Sequence, residues 1–194
     1  MGKIYYLMGK SATGKDTIYK KLLEECPELK KIVLYTTRPK RDGETDGVEY
    51  YFTSEEQLKR YADQGKLIEW RTYETVHGPW SYATVDDGQV RLETADYLAI
   101  GTLESYETLR GYYGAEAVVP LYVTVEDGIR LERALQRERM QKAPRYQELC
   151  RRFLADEEDF SRENLERCEI KRAYVNENLE ECVCRIKETI HKSW

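Results

Sequence analysis

The junction of Lys3-Ile-Tyr-Tyr-Leu-Met8 with Gly9-Lys-Ser-Ala-Thr-Gly-Lys-Asp-Thr17 constrains this chain more than any other stretch. Gly9, Gly14 and Lys15 stand at the spacing G-x-x-x-x-G-K, with an apolar, β-prone run before them and a helical pattern after. Glycines let the backbone turn tightly so that successive N–H groups face one point, and the helix that follows adds its positive end. The product is a phosphate cradle. Gly9, Lys10, Ser11, Ala12, Thr13, Gly14, Lys15, Asp16 and Thr17 are therefore expected to surround nucleotide phosphates, with Lys15 reaching the terminal ones as a mobile point charge. Asp16 stands where this motif usually places a Ser or Thr hydroxyl on magnesium. A carboxylate is also a hard oxygen donor, so Asp16, with Thr17 as the other candidate, is the expected contact to Mg²⁺.

The remaining elements alternate. A helix is expected from Asp16 to Cys26 and ends at Pro27, and Ile32 to Tyr35 reads as a short strand. Thr36 to Phe52 is a Pro- and Gly-marked loop returning into a Tyr/Phe strand, and Ser54-Glu-Glu-Gln57 starts a helix to about Gln64. Strands are expected at Leu67–Tyr73 and Tyr82–Val85, separated by His77-Gly-Pro79. From Asp96 onward strand and helix alternate again: strands at Tyr97–Ile100, Val118–Val125 and Ile170–Val175, and helices at Leu103–Tyr113, Asp127–Arg139, Tyr146–Phe160 and Asn178–Ile190. This order predicts an α/β fold, a parallel sheet with helices on both faces in three layers. The 194 residues suit a single domain. Its core spans about 1–34 and 95–194, interrupted by a small β-rich insertion over about 35–85, with a lid over about 137–150 jointed at Pro144.

Charge and cysteine usage narrow the function classes. A net charge of -5 argues against a general nucleic-acid binder, because phosphate backbones demand a basic face. No apolar run approaches membrane-spanning length, and Met1-Gly-Lys leads directly into the first strand without room for a leader. The five cysteines form no C-x-x-C pair, which reads as idle thiols in a reducing cytoplasm.

The insertion carries a second set of anion ligands. Arg38 and Arg41, near Tyr50, can grip an anionic group by guanidinium forks plus one hydroxyl. A second anion site beside the first suits a transferase rather than a plain hydrolase. Glu69 lies in the apolar run Leu67-Ile-Glu-Trp70 and must have a partner, since an unpaired buried charge is costly. Either a purine offering adjacent N–H donors or a neighbouring Arg or Lys would serve. Most arginines between Arg130 and Arg152 read as solvated helix faces, while a minority on a closing lid would neutralise charge on a transferring phosphoryl group.

Three stretches together resemble guanylate kinase: Gly9 to Thr17, Thr36-Thr-Arg-Pro-x-Arg-x-Gly-Glu-x-x-Gly-x-x-Tyr-x-Phe, and Leu67-Ile-Glu-Trp70. An arginine-bearing helix pair and Val175-Asn-Glu-Asn-Leu179 extend the likeness. The resemblance implies an ATP–Mg²⁺-dependent kinase acting on small nucleotides, with GMP as the expected acceptor. By the same resemblance Arg38, Arg41 and Tyr50 hold the acceptor phosphate, and Glu69 reads the guanine edge. The Gly9–Thr17 loop holds ATP, and Asn176 lies near the adenine. Arg137 or Arg139, together with Arg152, supplies the transition-state arginines. The family's Tyr-Gly-Ser/Thr segment matches His77-Gly-Pro-Trp-Ser-Tyr82 loosely, which assigns Ser81 and Tyr82 to the acceptor site. Two departures stand out. Leu34 replaces a base-reading serine, and Ala99-Ile-Gly101 replaces an Asp-x-Asp pair. They motivate one alternative, a P-loop kinase for another phosphorylated small molecule; a competing reading from another class is a non-catalytic guanylate-kinase-like domain that docks a phosphopeptide on Arg38, Arg41 and Tyr50.

Overall fold

A computed structural model describes residues 1–75 and 78–192. Strand β1 (Ile4–Met8) is wholly buried and forms the centre of a five-stranded sheet. Helix α1 (Lys15–Glu25) follows the glycine loop, and then come β2 (Lys30–Lys31), β3 (Tyr35–Thr36), β4 (Tyr51–Phe52) and α2 (Glu55–Asp63). The Ser54 hydroxyl accepts the Gln57 N–H at 3.2 Å and caps α2, as its sequence predicts. Next are β5 (Leu67–Thr75), β6 (Gly78–Val85), β7 (Tyr97–Gly101), α3 (Leu103–Tyr113) and β8 (Val118–Thr124). The chain closes with α4 (Asp127–Arg139), α5 (Tyr146–Asp159), α6 (Arg162–Arg167), β9 (Ala173–Val175) and α7 (Leu179–Lys192).

The first sheet has the order β2-β7-β1-β8-β9 with every pairing parallel. Because the central strands β1, β7 and β8 are covered on both faces, they are largely apolar rather than alternating, unlike the edge strands β2 and β9. Tyr5, Leu7, Leu98 and Leu121 pack on one face with Ile18 and Leu22 of α1 and Val183, Ile186 and Ile190 of α7. Ile4, Tyr6 and Met8 pack on the other with Leu103, Tyr106 and Leu109 of α3 and with Phe160. This is the three-layer α/β arrangement predicted. Among the described residues no helix is long and apolar enough to cross a membrane.

A second sheet, β4-β3-β6-β5, is built from residues between Tyr35 and Val85, with β3 antiparallel to β6 and β5 antiparallel to β6. It has its own small core of Tyr35, Leu58, Ala83 and Val85. The single strand expected at Ile32–Tyr35 is divided between the two sheets. Lys30–Lys31 pairs with β7, Tyr35–Thr36 pairs with β4 and β6, and Ile32 and Val33 are buried where the chain crosses. Burial at a crossing makes a run as apolar as strand pairing does, so composition cannot separate them. The strand expected at Ile170–Val175 shortens to Ala173–Val175 because α6 and its following turn take up the residues before it. The expected connection His77-Gly-Pro79 falls partly on residue 77, outside the described residues; Gly78 and Pro79 already belong to β6.

Candidate active site

The glycine loop owes its shape to steric limits and to one distant amide. A Cβ on Gly9 would lie 2.3 Å from the Val123 carbonyl oxygen of β8, so only glycine allows this approach. Gly14 has φ +88°, and a Cβ there would lie 2.4 Å from Asn176 Nδ2. Ala12 is held in the left-handed region at φ 64°. Inside the turn Thr13 Oγ1 donates to the Lys10 carbonyl at 2.9 Å, and Asn176 Nδ2 donates to the Thr13 carbonyl at 2.7 Å. Asn176 is 4% exposed and thus braces the loop from behind. Its own carbonyl accepts from Arg133 at 3.0 Å. Lys15 and Asp16 open α1, with Lys15 Nζ 3.9 Å from the Asp16 carboxylate, whose side chain is 80% exposed.

Helix α5 reaches back to this loop. Asp156 Oδ2 accepts the Ser11 backbone N–H at 2.9 Å, and Glu157 accepts from Lys10 Nζ at 2.5 Å. Both carboxylates also pair with Arg130, which is 1% exposed, ion-pairs with Asp127 and lies with its guanidinium 3.9 Å above the Phe153 ring. Sequence reading passed over Arg130, Asp156 and Glu157. Their helical spacing hides a contact that spans about 145 residues of chain.

Between α4 and α5 lies a cavity of about 540 Å³ that touches the loop at Ser11. Arg137, Arg145 and Arg152 line it beside Leu149 and Phe153. Leu149 and Phe153 of α5 face this cavity, while Phe160 at its end reaches the core and stacks on Tyr122 at 5.5 Å. Arg139 is exposed at the last residue of α4 and does not line the cavity, so of the two alternatives Arg137 is the one that faces it. Arg152 is paired with Glu148 at 2.8 Å. Together with Arg151, it holds the Glu148 carboxyl down at about 2.

A second cavity of about 420 Å³ runs between α1 and the inserted sheet. Asp16 and Lys20 form its wall on the α1 side, Tyr50 lies at the inserted sheet, and Glu69 and Arg71 lie deeper, near Ala99 and Ile100. Arg38 is buried in the adjoining wall. It forms a fork with Glu44 at 2.8 and 2.5 Å and lies 4.9 Å over the Tyr50 ring. The fork, with the Arg41 backbone N–H, holds the Glu44 carboxyl at about 2. Arg41 itself is exposed. Tyr82 packs edge-on to Tyr50 at 5.7 Å. Ser81 is buried, sharing a hydrogen bond with Thr72 at 2.8 Å.

At the deep end Glu69 is fully engaged. It ion-pairs with Arg71, accepts Ser105 Oγ at 2.5 Å and accepts Thr84 Oγ1 at 3.3 Å. The neighbouring Arg71 is thus one partner of the Glu69 carboxylate. Tyr6, whose hydroxyl is pushed up by burial and bonds Ser105, fills the space beyond Gly101. A Cβ at Gly101 would come within 2.1 Å of the Tyr6 hydroxyl oxygen. Elsewhere, Cys26, Glu28 and His191 bring ligand atoms within 4.8 Å of one another, a grouping invisible in their spacing.

A sequence model of guanylate kinase matches residues 1–89. Over that stretch the chain is similar to guanylate kinases. A guanylate kinase of Symbiobacterium thermophilum is 49% identical over 69 residues, covering 36% of this chain and 33% of the relative. One of Oceanobacillus iheyensis is 37% identical over 92 residues, 45% of each chain. The chain thus spans about a third to a half of the length of these guanylate kinases. The fold likeness extends further. The crystal structure of guanylate kinase from Anaplasma phagocytophilum superimposes with a TM-score of 0.68 at 22% identity, over 98% of this chain and 85% of that one. Within the guanylate kinase fold, the matched residues 1–89 include the glycine loop and the inserted sheet. The arginine helices lie beyond them.

Proposed function

We propose that this chain is a cytoplasmic phosphotransferase that moves the γ-phosphoryl group of ATP, bound with Mg²⁺, to a nucleoside monophosphate, with GMP as the expected acceptor and ADP and GDP as products. One observation carries this reading: the glycine loop and the acceptor cavity meet at the first turn of α1, where Asp16 belongs to both. In this reading the Gly9–Thr17 backbone and Lys15 bind the ATP phosphates, and Asn176 fixes the loop. Arg38, Arg41 and Tyr50 take the acceptor phosphate, with Ser81 and Tyr82 supporting that wall. Arg137 from the lid (about 137–150) and Arg152 just after it close over the core, while the insertion (about 35–85) carries the acceptor.

An acceptor phosphate oxygen is already anionic, so no strong general base is needed; alignment and charge neutralisation suffice. The donor set at α1 fits a hard cation, because Asp16 offers an exposed carboxylate at the point where the two sites adjoin, whereas Thr17 does not line the acceptor cavity. Mg²⁺ held there would screen phosphate charge. Lys15, Arg137 and Arg152 would share that task. A kinase for another phosphorylated acceptor uses the same phosphate grips. A docking domain without catalysis has no use for Lys15 and its cradle.

The test is a coupled assay with ATP–Mg²⁺ and GMP, dGMP, AMP, dTMP, UMP and CMP. Turnover of a monophosphate is expected. ATP binding with no monophosphate turned over would sink the kinase reading, and thermal stabilisation by a phosphopeptide but not by ATP would favour the docking domain.

A further inference from the structure

The acceptor cavity contains a charge pair that phosphoryl transfer does not call for. Glu69 and Arg71 are two residues apart on β5, and strand alternation sends both side chains to one face. Their side chains are 6% and 16% exposed. Both oxygens of Glu69 are taken, one by Ser105 and Arg71 and the other by Thr84. Arg71 is fastened at its far end, where Nη1 donates to Tyr73 Oη at 3.0 Å and Thr102 Oγ1 at 3.2 Å. A base approaching Glu69 with its own N–H donors would have to displace the guanidinium and leave a buried cation uncompensated. Leu34 and Ala99 line the cavity beside the pair, and the Tyr6 hydroxyl fills the room a side chain at 101 would need.

We propose that Arg71 sets acceptor choice: by holding Glu69 it removes selection for a 2-amino group, and it turns the deep end of the cavity from a hydrogen-bond acceptor into a donor. The acceptors it suits are monophosphates whose base presents a carbonyl oxygen. GMP and IMP are then equivalent, and AMP, which presents an amino group instead, is poor. This inference rests on the reading of the acceptor as a nucleoside monophosphate.

The experiment compares kcat/KM for GMP, IMP and AMP in the wild type, Arg71→Ala and Arg71→Gln. In the wild type GMP and IMP are expected within about threefold of each other and AMP at least about tenfold lower. Arg71→Ala frees Glu69 for the 2-amino group and should raise the GMP-to-IMP ratio by about tenfold to a hundredfold, the worth of one charged hydrogen bond. Arg71→Gln retains a donor and side-chain bulk, is expected to give an intermediate rise, and serves if the alanine variant does not fold. A wild type that prefers GMP to IMP by more than about tenfold, or variants that leave the ratio unchanged, would overturn the proposal. Should no monophosphate be turned over, the kinase reading fails by itself. Calorimetric titration with GMP and IMP then decides Arg71: equal affinities support it and a clear GMP preference refutes it.

Discussion

The two regions proposed to bind anions are built from different materials. The glycine loop is a backbone device: Gly9 and Gly14 permit the turn, and Asn176 ties it down by one hydrogen bond, which its side-chain amide donates to the Thr13 carbonyl at 2.7 Å. The acceptor wall is a side-chain device in which Arg38 is held ready by Glu44, 2.5–2.8 Å away, and by the Tyr50 and Phe52 rings beneath it. Backbone amides do not titrate and cannot be substituted away. A fork of Arg and Glu can lose its geometry to a single substitution and its charge balance to acid. The first region therefore fixes a position, while the second tunes an affinity.

The contrast can be broken at three points. Lys15 is a mobile charge in the rigid region, and Lys15→Ala should cost about 10²–10³ in kcat, as loss of an electrostatic contact to the transferring group does, while the melting temperature hardly changes. Activity near that of the wild type would misplace the nucleotide site. Arg38→Lys keeps the charge and abolishes the fork, so KM for the acceptor should rise by an amount worth about 1.5–3 kcal/mol while KM for ATP stays put. If the two KM values move together, the two regions are not separate devices. The smallest effect is that of acid. The Glu44 carboxyl lies near 2, below its ordinary value of 4.5, so its contribution to stability is fully present above about 4.5 and is lost as pH falls through about 2. Thermal unfolding followed over that window should lose part of its pH dependence in Glu44→Gln. An identical profile in both forms would mean that the fork stabilises nothing.

The same difference explains what could be read from sequence. The cradle is local, and Gly9, Gly14 and Lys15 announce it through stereochemistry and spacing that no other fold explains as well. The alternation of strand and helix was equally legible, because central parallel strands covered on both faces are largely apolar. Arg71 was legible in principle, since a residue two places along a strand from Glu69 must share its face. What spacing could not supply was the packing of Ser105 and Tyr6, from α3 and β1, around that pair. The clasp of Asp156 and Glu157 on Ser11 and Lys10 could not be read at all. Acidic residues on a charged helix look the same whether they meet water or a loop from the other end of the chain.

The Asn176 amide joins residues 163 positions apart. The last crossover must therefore be docked before the phosphate loop acquires its brace, so a growing chain carries an unfinished cradle until nearly all of it has been synthesised. The stretch that carries the family likeness ends at residue 89 and stops well short of that brace. Expressed alone, it would keep the motif and lack the strut that gives the motif its shape.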